Sequence, residues 1–158
     1  SYDNQYGPLP PDSYASVSIA DEEEACRAVT ELYRCGHRRI AALVSGTEDR
    51  SISQLRYQGY VRALAAHGLP LEQELVIEAG SFDIRQSYLA MQRRLLAGAQ
   101  FTALFAISDN MAIGAMRALR EAGRRIPEDC SVIAIDGISV SEYIHPTLRT
   151  GESVRDIS

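Results

Sequence analysis

Short apolar segments alternate with amphipathic segments along this chain, and that alternation limits the folds open to it. Four segments are apolar enough to form buried strands: Ile40–Val44, Leu75–Ile77, Thr102–Ile107 and Val132–Ile135. Val17–Ile19 is a candidate fifth strand. Three of the four are almost continuously apolar, as expected of parallel strands covered on both faces. Strands that alternate with helices form a doubly wound sheet through right-handed crossovers. The sequence therefore predicts an α/β fold, with a mainly parallel sheet flanked by helices.

Glycines mark the predicted ends of the helices between these strands. Each of four glycines follows an amphipathic segment: Gly36, Gly68, Gly98 and Gly123. Glycine adopts the left-handed conformation that ends many helices without strain. The first helix is expected to begin near Asp21, because Asp21 and Glu24 have the spacing of a capping box.

Composition and charge are those of a globular domain that does not itself bind DNA. The 158 residues are 46% hydrophobic and 23% charged, enough for one domain with a core. The net charge of −5 disfavours nonspecific DNA binding, which depends on Lys and Arg neutralising phosphates. The sequence contains no run of 18 apolar residues, the length that would suggest a membrane-spanning helix. The odd number of cysteines (Cys26, Cys35 and Cys130) favours reduced packing residues over a disulfide framework.

Motifs of enzymes and of cofactor sites are absent from the sequence. No GxGxxG or GxxxxGK[ST] phosphate loop follows a strand, and no GxSxG nucleophile motif occurs. The three histidines, His37, His67 and His145, have no metal-ligating neighbour at a useful spacing. We therefore expect a binding domain with no catalytic residue, no cofactor and no metal.

Polar side chains directly follow several of the predicted strands. Ser45, Ser108, Asp109 and Asp136 each come just after an apolar run, and Phe82 follows the weaker strand Leu75–Ile77. In open α/β sheets, ligands bind outside the carboxyl ends of the strands. We expect these side chains to converge on a ligand site.

Four segments resemble, in order and spacing, motifs of the LacI/GalR-type transcription regulators. Cys35–Ala41 (CGHRRIA) is similar to the family's GHRxIA turn, and residues 56–64 (RYQGYVRAL) are similar to its RxxGYxxAL helix. Thr102–Gly114 (TALFAISDNMAIG) resembles TAxFxxxDxxAxG, and Ile126–Asp136 (IPEDCSVIAID) resembles IPxDxSVxGxD. The resemblance implies one lobe of a sensor with the fold of periplasmic sugar-binding proteins.

The same resemblance implies how the chain is divided. Residues 17–146 would form the C-terminal subdomain of the effector-binding domain. Residues 1–16 would be a linker or the end of a missing N-terminal subdomain, and residues 147–158 would be the crossover segment.

The resemblance also implies roles for individual residues. Arg56 matches the arginine that family members direct into the ligand cleft, and a guanidinium can donate paired hydrogen bonds to vicinal hydroxyls or a carboxylate. Phe82 falls where the family often places an aromatic ring against the ligand. Ser108 occupies a position that is often asparagine, and Asp136 matches a ligand-binding aspartate. Asp109 is expected to cap the helix that follows it.

Ordinary structural roles stay open for three of these residues. Arg56 could be a solvated helix residue, Phe82 a lid over the core and Asp136 a cap on a turn. The chain also departs from the family pattern, with Ala20-Asp21 in place of Asp-Asn and with Gly137 where Asp or Asn is usual. These departures bear on the identity of the ligand more than on the fold.

The function implied by the resemblance is effector sensing in a cytoplasmic transcription regulator. The effector would be a small molecule, a sugar by analogy, and operator DNA would be bound only through an N-terminal helix-turn-helix that this chain lacks. No membrane partner is implied. The alternative is a periplasmic sugar-binding protein that serves a transporter. A helix-turn-helix or a signal peptide in the preceding sequence would separate the two.

A homodimer is also expected, through the helix that follows Asp109. Three of its apolar residues are spaced to face the sheet: Ala112, Ala115 and Leu119. Ile113 and Met116 then lie on a face that the sheet does not cover. Tyr143 and Ile144 form a second apolar pair, in a region that abuts the same helix across a two-fold axis in the family. The alternative is that Ile113 and Met116 pack under the chain's own terminal segment.

Overall fold

The computed structural model of the chain describes residues 11–45 and 52–135. Helices and strands alternate along them. The helices are α1 (Pro11–Arg34), α2 (Ile52–Ala66), α3 (Ile84–Leu96) and α4 (Asp109–Glu121). The strands are β1 (Ile40–Val44), β2 (Val76–Glu78), β3 (Ala103–Ala106) and β4 (Ser131–Ala134). All four predicted strands are present, with ends that differ from the predicted ones by no more than one residue.

The four described strands form one parallel sheet in the order β2-β1-β3-β4. In the register of the sheet, Ala42 of β1 pairs with Val76 of β2 on one side and with Phe105 of β3 on the other. The strand order reverses direction between β1 and β3, which makes the carboxyl ends of these two strands the topological switch point. The prediction of a doubly wound, parallel sheet is confirmed.

The helices pack in two pairs, α1 with α2 and α3 with α4. The crossovers between successive strands place these pairs on opposite faces of the sheet. Every residue of β1 and β3 is buried as a result. Glycines allow the close approach within each pair: a Cβ on Gly59 would lie 2.6 Å from Cβ of Ala25, and one on Gly114 would lie 2.9 Å from the amide nitrogen of Tyr88.

The predicted start of the first helix and the candidate strand at Val17–Ile19 were wrong. α1 begins at Pro11, so Val17–Ile19 and part of the segment predicted as linker are helical. No glycine or proline interrupts residues 12–34, so nothing in that stretch stops the helix from extending towards its N-terminus. Proline itself is well tolerated in a first helical turn. The predicted boundary between residues 16 and 17 falls inside α1.

The predicted helix ends and the state of the cysteines agree with the structure. The four glycines that were expected to end helices have φ angles of +103°, +70°, +91° and +83°, in chain order. All three cysteines are free thiols. Among the described residues, none of the helices is long and apolar enough to cross a membrane.

Candidate functional site

Arg56, in the second turn of α2, is buried at the carboxyl edge of the sheet with only 8% of its surface exposed. Its Nη1 donates hydrogen bonds to the carbonyl oxygens of Ile107, at 2.7 Å, and Ile135, at 3.4 Å. Ile107 directly follows β3, and Ile135 directly follows β4. One guanidinium nitrogen therefore joins the ends of two neighbouring strands, and the alternative of a solvated helix arginine was wrong.

Asp21 of α1 occupies the other side of the Arg56 guanidinium. Both Nε and Nη2 donate to Oδ1 of Asp21, each at 3.2 Å. The two side chains are only 10% and 17% exposed. A buried pair of this kind gains little net stability, but removal of one partner leaves an uncompensated charge. Asp21 is thus the counter-charge of Arg56 at this edge of the sheet.

Sequence reasoning placed Asp21 only at the start of a helix and missed this contact. The two residues are 35 positions apart, so no helical or strand periodicity connects them. The one available signal was the departure from the family pattern, an aspartate at position 21 where asparagine is common.

Ser108 caps α4 next to Arg56's contact with Ile107. Its backbone is extended, and its Oγ accepts a hydrogen bond from the amide of Met111 at 3.3 Å. The prediction that Asp109 caps this helix was wrong, because Asp109 is the first helical residue and is fully buried. A carboxylate there lies near the positive end of the helix dipole. Because the Ser108 hydroxyl accepts in this contact, its proton can still be donated to another group.

Phe82 lies at the same edge of the sheet, in the loop between β2 and α3. Its exposed fraction is 41%, so it is not a lid over the core. β2 is separated from β3 by β1, and from β4 by β1 and β3. At ordinary strand spacing, the strand end near Phe82 therefore lies about 10 Å from the end of β3 and about 15 Å from the end of β4. Phe82 therefore borders the site at a distance from the Arg56 network.

Tyr57 adds a neutral hydroxyl to this part of α2. Burial, and then the nearby carboxylate of Glu78 at the end of β2, raise the pKa of the Tyr57 hydroxyl above its usual value. The phenol therefore keeps its proton at neutral pH. No group of three metal-ligating side chains occurs among residues 11–45 and 52–135.

Predicted site residues near the C-terminus lie outside the described residues. Asp136 follows Ile135 in the sequence, and Tyr143 and Ile144 follow later. Of the α4 residues, Ala112, Ala115 and Leu119 are fully buried, as predicted.

The α4 residues predicted for the dimer interface differ from each other in exposure. Ile113 is 37% exposed, whereas Met116 is only 7% exposed. Met116 is therefore largely covered by residues of this chain, whereas Ile113 is exposed.

Comparison with known proteins identifies the family of this fold. Residues 29–153 match the model of the periplasmic binding protein-like domain. The chain is 40% identical to the probable HTH-type transcriptional repressor ExuR of Bacillus subtilis, over 82% of this chain and 38% of that protein.

Two solved structures show the same fold. A sugar-binding transcriptional regulator of the LacI family from Escherichia coli, complexed with phosphate, is 38% identical with a TM-score of 0.73, over 81% of this chain and 45% of that one. The complex of the transcriptional regulator CelR with cellobiose is 35% identical with a TM-score of 0.72, over 81% and 38%. This chain belongs to the LacI family of periplasmic binding protein-like domains.

Membership of the LacI family favours regulation over the alternative of a transporter component, and its relatives are regulators rather than enzymes. The chain spans about two fifths of the length of two curated relatives that it matches, the repressor ExuR and the regulator AscG of Escherichia coli. Arg56, Asp21 and Ser108 lie at the carboxyl edge of the sheet, which is where open α/β sheets bind ligands.

Proposed function

We propose that this chain is the effector-binding part of a cytoplasmic LacI-type transcriptional regulator, and that it binds a small sugar at the carboxyl edge of its sheet. The observation that carries the proposal is the position of Arg56. Its guanidinium lies at the ends of β3 and β4, with the cap residue Ser108 beside it. A ligand at this edge meets side chains that can donate and accept hydrogen bonds.

Phe82 and Asp136 complete the proposed site. The exposed ring of Phe82 can cover an apolar face of a sugar, and the carboxylate of Asp136 can accept hydrogen bonds from hydroxyls. Sugar as the ligand class is supported by the relative that was solved with cellobiose.

In the proposed mechanism, ligand closes this lobe against a second lobe. A ligand shifts the equilibrium between the open and closed arrangements only to the extent that it binds the closed one more tightly. That shift would alter binding of operator DNA by a helix-turn-helix elsewhere in the intact protein. Coupling of this kind is typically about 1–3 kcal/mol, or roughly 5–150-fold in affinity.

We propose further that the regulator is a homodimer whose interface includes α4. Ile113 is the apolar residue of that helix that remains exposed. Symmetric pairing would bury Ile113 against its copy, with Tyr143 and Ile144 contributing from the same side and Met116 supporting the helix from within.

The experiment that tests the proposed function measures operator binding by the intact protein with and without saturating sugar. Cellobiose and simple hexoses serve as the first probes. Arg56→Lys should abolish the response. Arg62→Lys on the same helix is the control, because Arg62 is 47% exposed and contacts Glu22 and Glu23 instead. Equal operator affinity under all conditions would contradict effector sensing.

A further inference from the structure

The Arg56 guanidinium is almost fully engaged within the chain. Four contacts use it as a donor: two from Nη1 to backbone carbonyls, and one each from Nε and Nη2 to Asp21. An arginine has five N–H groups. One N–H on Nη2 therefore remains for a ligand, among the contacts of the described residues.

Asp21 has a matching acceptor left over. Both of its hydrogen bonds from Arg56 end on Oδ1, so Oδ2 accepts none from Arg56. The pair as a whole offers one donor and one acceptor a few ångströms apart, and its two formal charges cancel. A sugar hydroxyl can donate and accept, so it fits both atoms, whereas an ionised carboxylate or phosphate oxygen can only accept.

We infer that Asp21 sets the charge class of the effector: the site takes a neutral, hydroxyl-rich ligand and excludes an anion from Arg56. This inference rests on the proposed function and adds the residue that excludes anionic ligands from the site. An anion that approached Arg56 would also approach the Asp21 carboxylate, and like charges repel strongly at a site that is shielded from water. Displacement of Asp21 would not remove this cost, because a largely buried carboxylate would then lack its counter-charge.

The test uses inorganic phosphate as the anionic probe with the full chain, at pH 7 and constant ionic strength. Asp21→Asn removes the charge and keeps an oxygen that can accept from Arg56. Glu22→Gln is the matched control: it removes one negative charge from the adjacent position, but Glu22 contacts Arg62 at 2.9 Å and not Arg56. Binding is measured by titration calorimetry, and the Arg56 Nε–H resonance is followed by NMR.

We expect wild type and Glu22→Gln to show no shift of the Arg56 resonance with phosphate. Asp21→Asn should bind phosphate at least about tenfold more tightly, since one like charge within a few ångströms has been removed, and its Arg56 resonance should move.

Three outcomes would overturn the inference. Wild type could bind phosphate at Arg56, Asp21→Asn could fail to gain affinity for phosphate, or Glu22→Gln could gain as much affinity for phosphate as Asp21→Asn. If Asp21→Asn fails to fold, the wild-type resonance still decides the matter. Because no operator DNA or sugar is used, these outcomes are independent of the regulatory test.

Discussion

The hydroxyl of Tyr60 donates to the carbonyl oxygen of Ile40 at 2.7 Å, which fixes the middle of α2 to the first residue of β1. Tyr60 is only 1% exposed, and its ring stacks on Phe105 with the centroids 6.3 Å apart. Burial raises the pKa of the Tyr60 hydroxyl well above its usual value of 10.0. The neutral phenol is therefore part of the folded state.

Tyr60→Phe should lower the free energy of unfolding at pH 7 by about 1 kcal/mol, the usual net value of a hydrogen bond. The folded-state pKa of this group lies above its unfolded value, so its contribution is complete below about pH 10 and is lost as pH rises beyond that. Urea unfolding at pH 7 and above pH 10 measures both effects. If the stability of Tyr60→Phe fell as steeply above pH 10 as that of wild type, the loss could not be attributed to ionisation of the Tyr60 hydroxyl.

The Arg56–Asp21 pair predicts non-additive effects of mutation. Arg56→Ala should destabilise the fold by about 3–5 kcal/mol, because it leaves a largely buried carboxylate without its partner. Adding Asp21→Ala to that variant should recover part of the loss, since no unpaired charge remains. A double-mutant cycle from urea unfolding checks this, and strictly additive losses would mean that the two side chains do not interact.

Gly59 should tolerate no side chain. A Cβ there would meet the carbonyl of Glu22 and the Cβ of Ala25, so Gly59→Ala must push α1 away from α2, at a cost of about 1–3 kcal/mol or more. Gly68→Ala is the control, because nothing lies within 4 Å of the new atom and only its φ of +70° is unfavourable. In thermal unfolding, Gly59→Ala should have a lower Tm than Gly68→Ala. The reverse order would contradict the close contact between α1 and α2.

The three thiols should differ in reactivity. Burial raises the pKa of the Cys130 thiol to about 12, and its surface is fully buried, whereas Cys26 and Cys35 are partly exposed. Because the thiolate is the nucleophile, Cys130 should be alkylated last. Iodoacetamide labelling of the folded chain at pH 8, followed by peptide mass spectrometry, measures the order. Early labelling of Cys130 would show that its environment opens in solution.

The proposed dimer predicts that Ile113→Asp raises the dissociation constant in sedimentation at micromolar concentration. Leu96→Asp provides the comparison, since Leu96 is even more exposed, at 82%, but lies at the end of α3. The Ile113 variant should dissociate while the Leu96 variant stays dimeric. A monomeric wild type, or equal dimerisation by the Ile113 variant, would remove α4 from the interface.

Sequence patterns predicted the sheet well because the strands are short, apolar and separated by helices that end at glycine. The four strands lie where the apolar runs predicted them, and Arg56 and Ser108 lie at the predicted edge. The cap of α4 was predicted one residue late, at Asp109 instead of Ser108, because either residue type can accept a hydrogen bond from a helical amide.

Two features could not be predicted in this way. The N-terminal reach of α1 depends on a stretch with little periodicity, in which the lack of a breaker decides the outcome. The contact between Asp21 and Arg56 is tertiary, and no spacing along the chain encodes it.

The hydrogen bonds from one Arg56 nitrogen to Ile107 and Ile135 have a mechanical consequence. Both carbonyl oxygens accept from the same rigid, planar group, so Ile107 and Ile135 cannot be displaced independently while the guanidinium stays in place. A molecule that displaces either residue therefore also displaces the other. Through the ion pair with Asp21, the displacement reaches α1. Ile107, Ile135 and Asp21 are therefore mechanically coupled to one another through the side chain of Arg56.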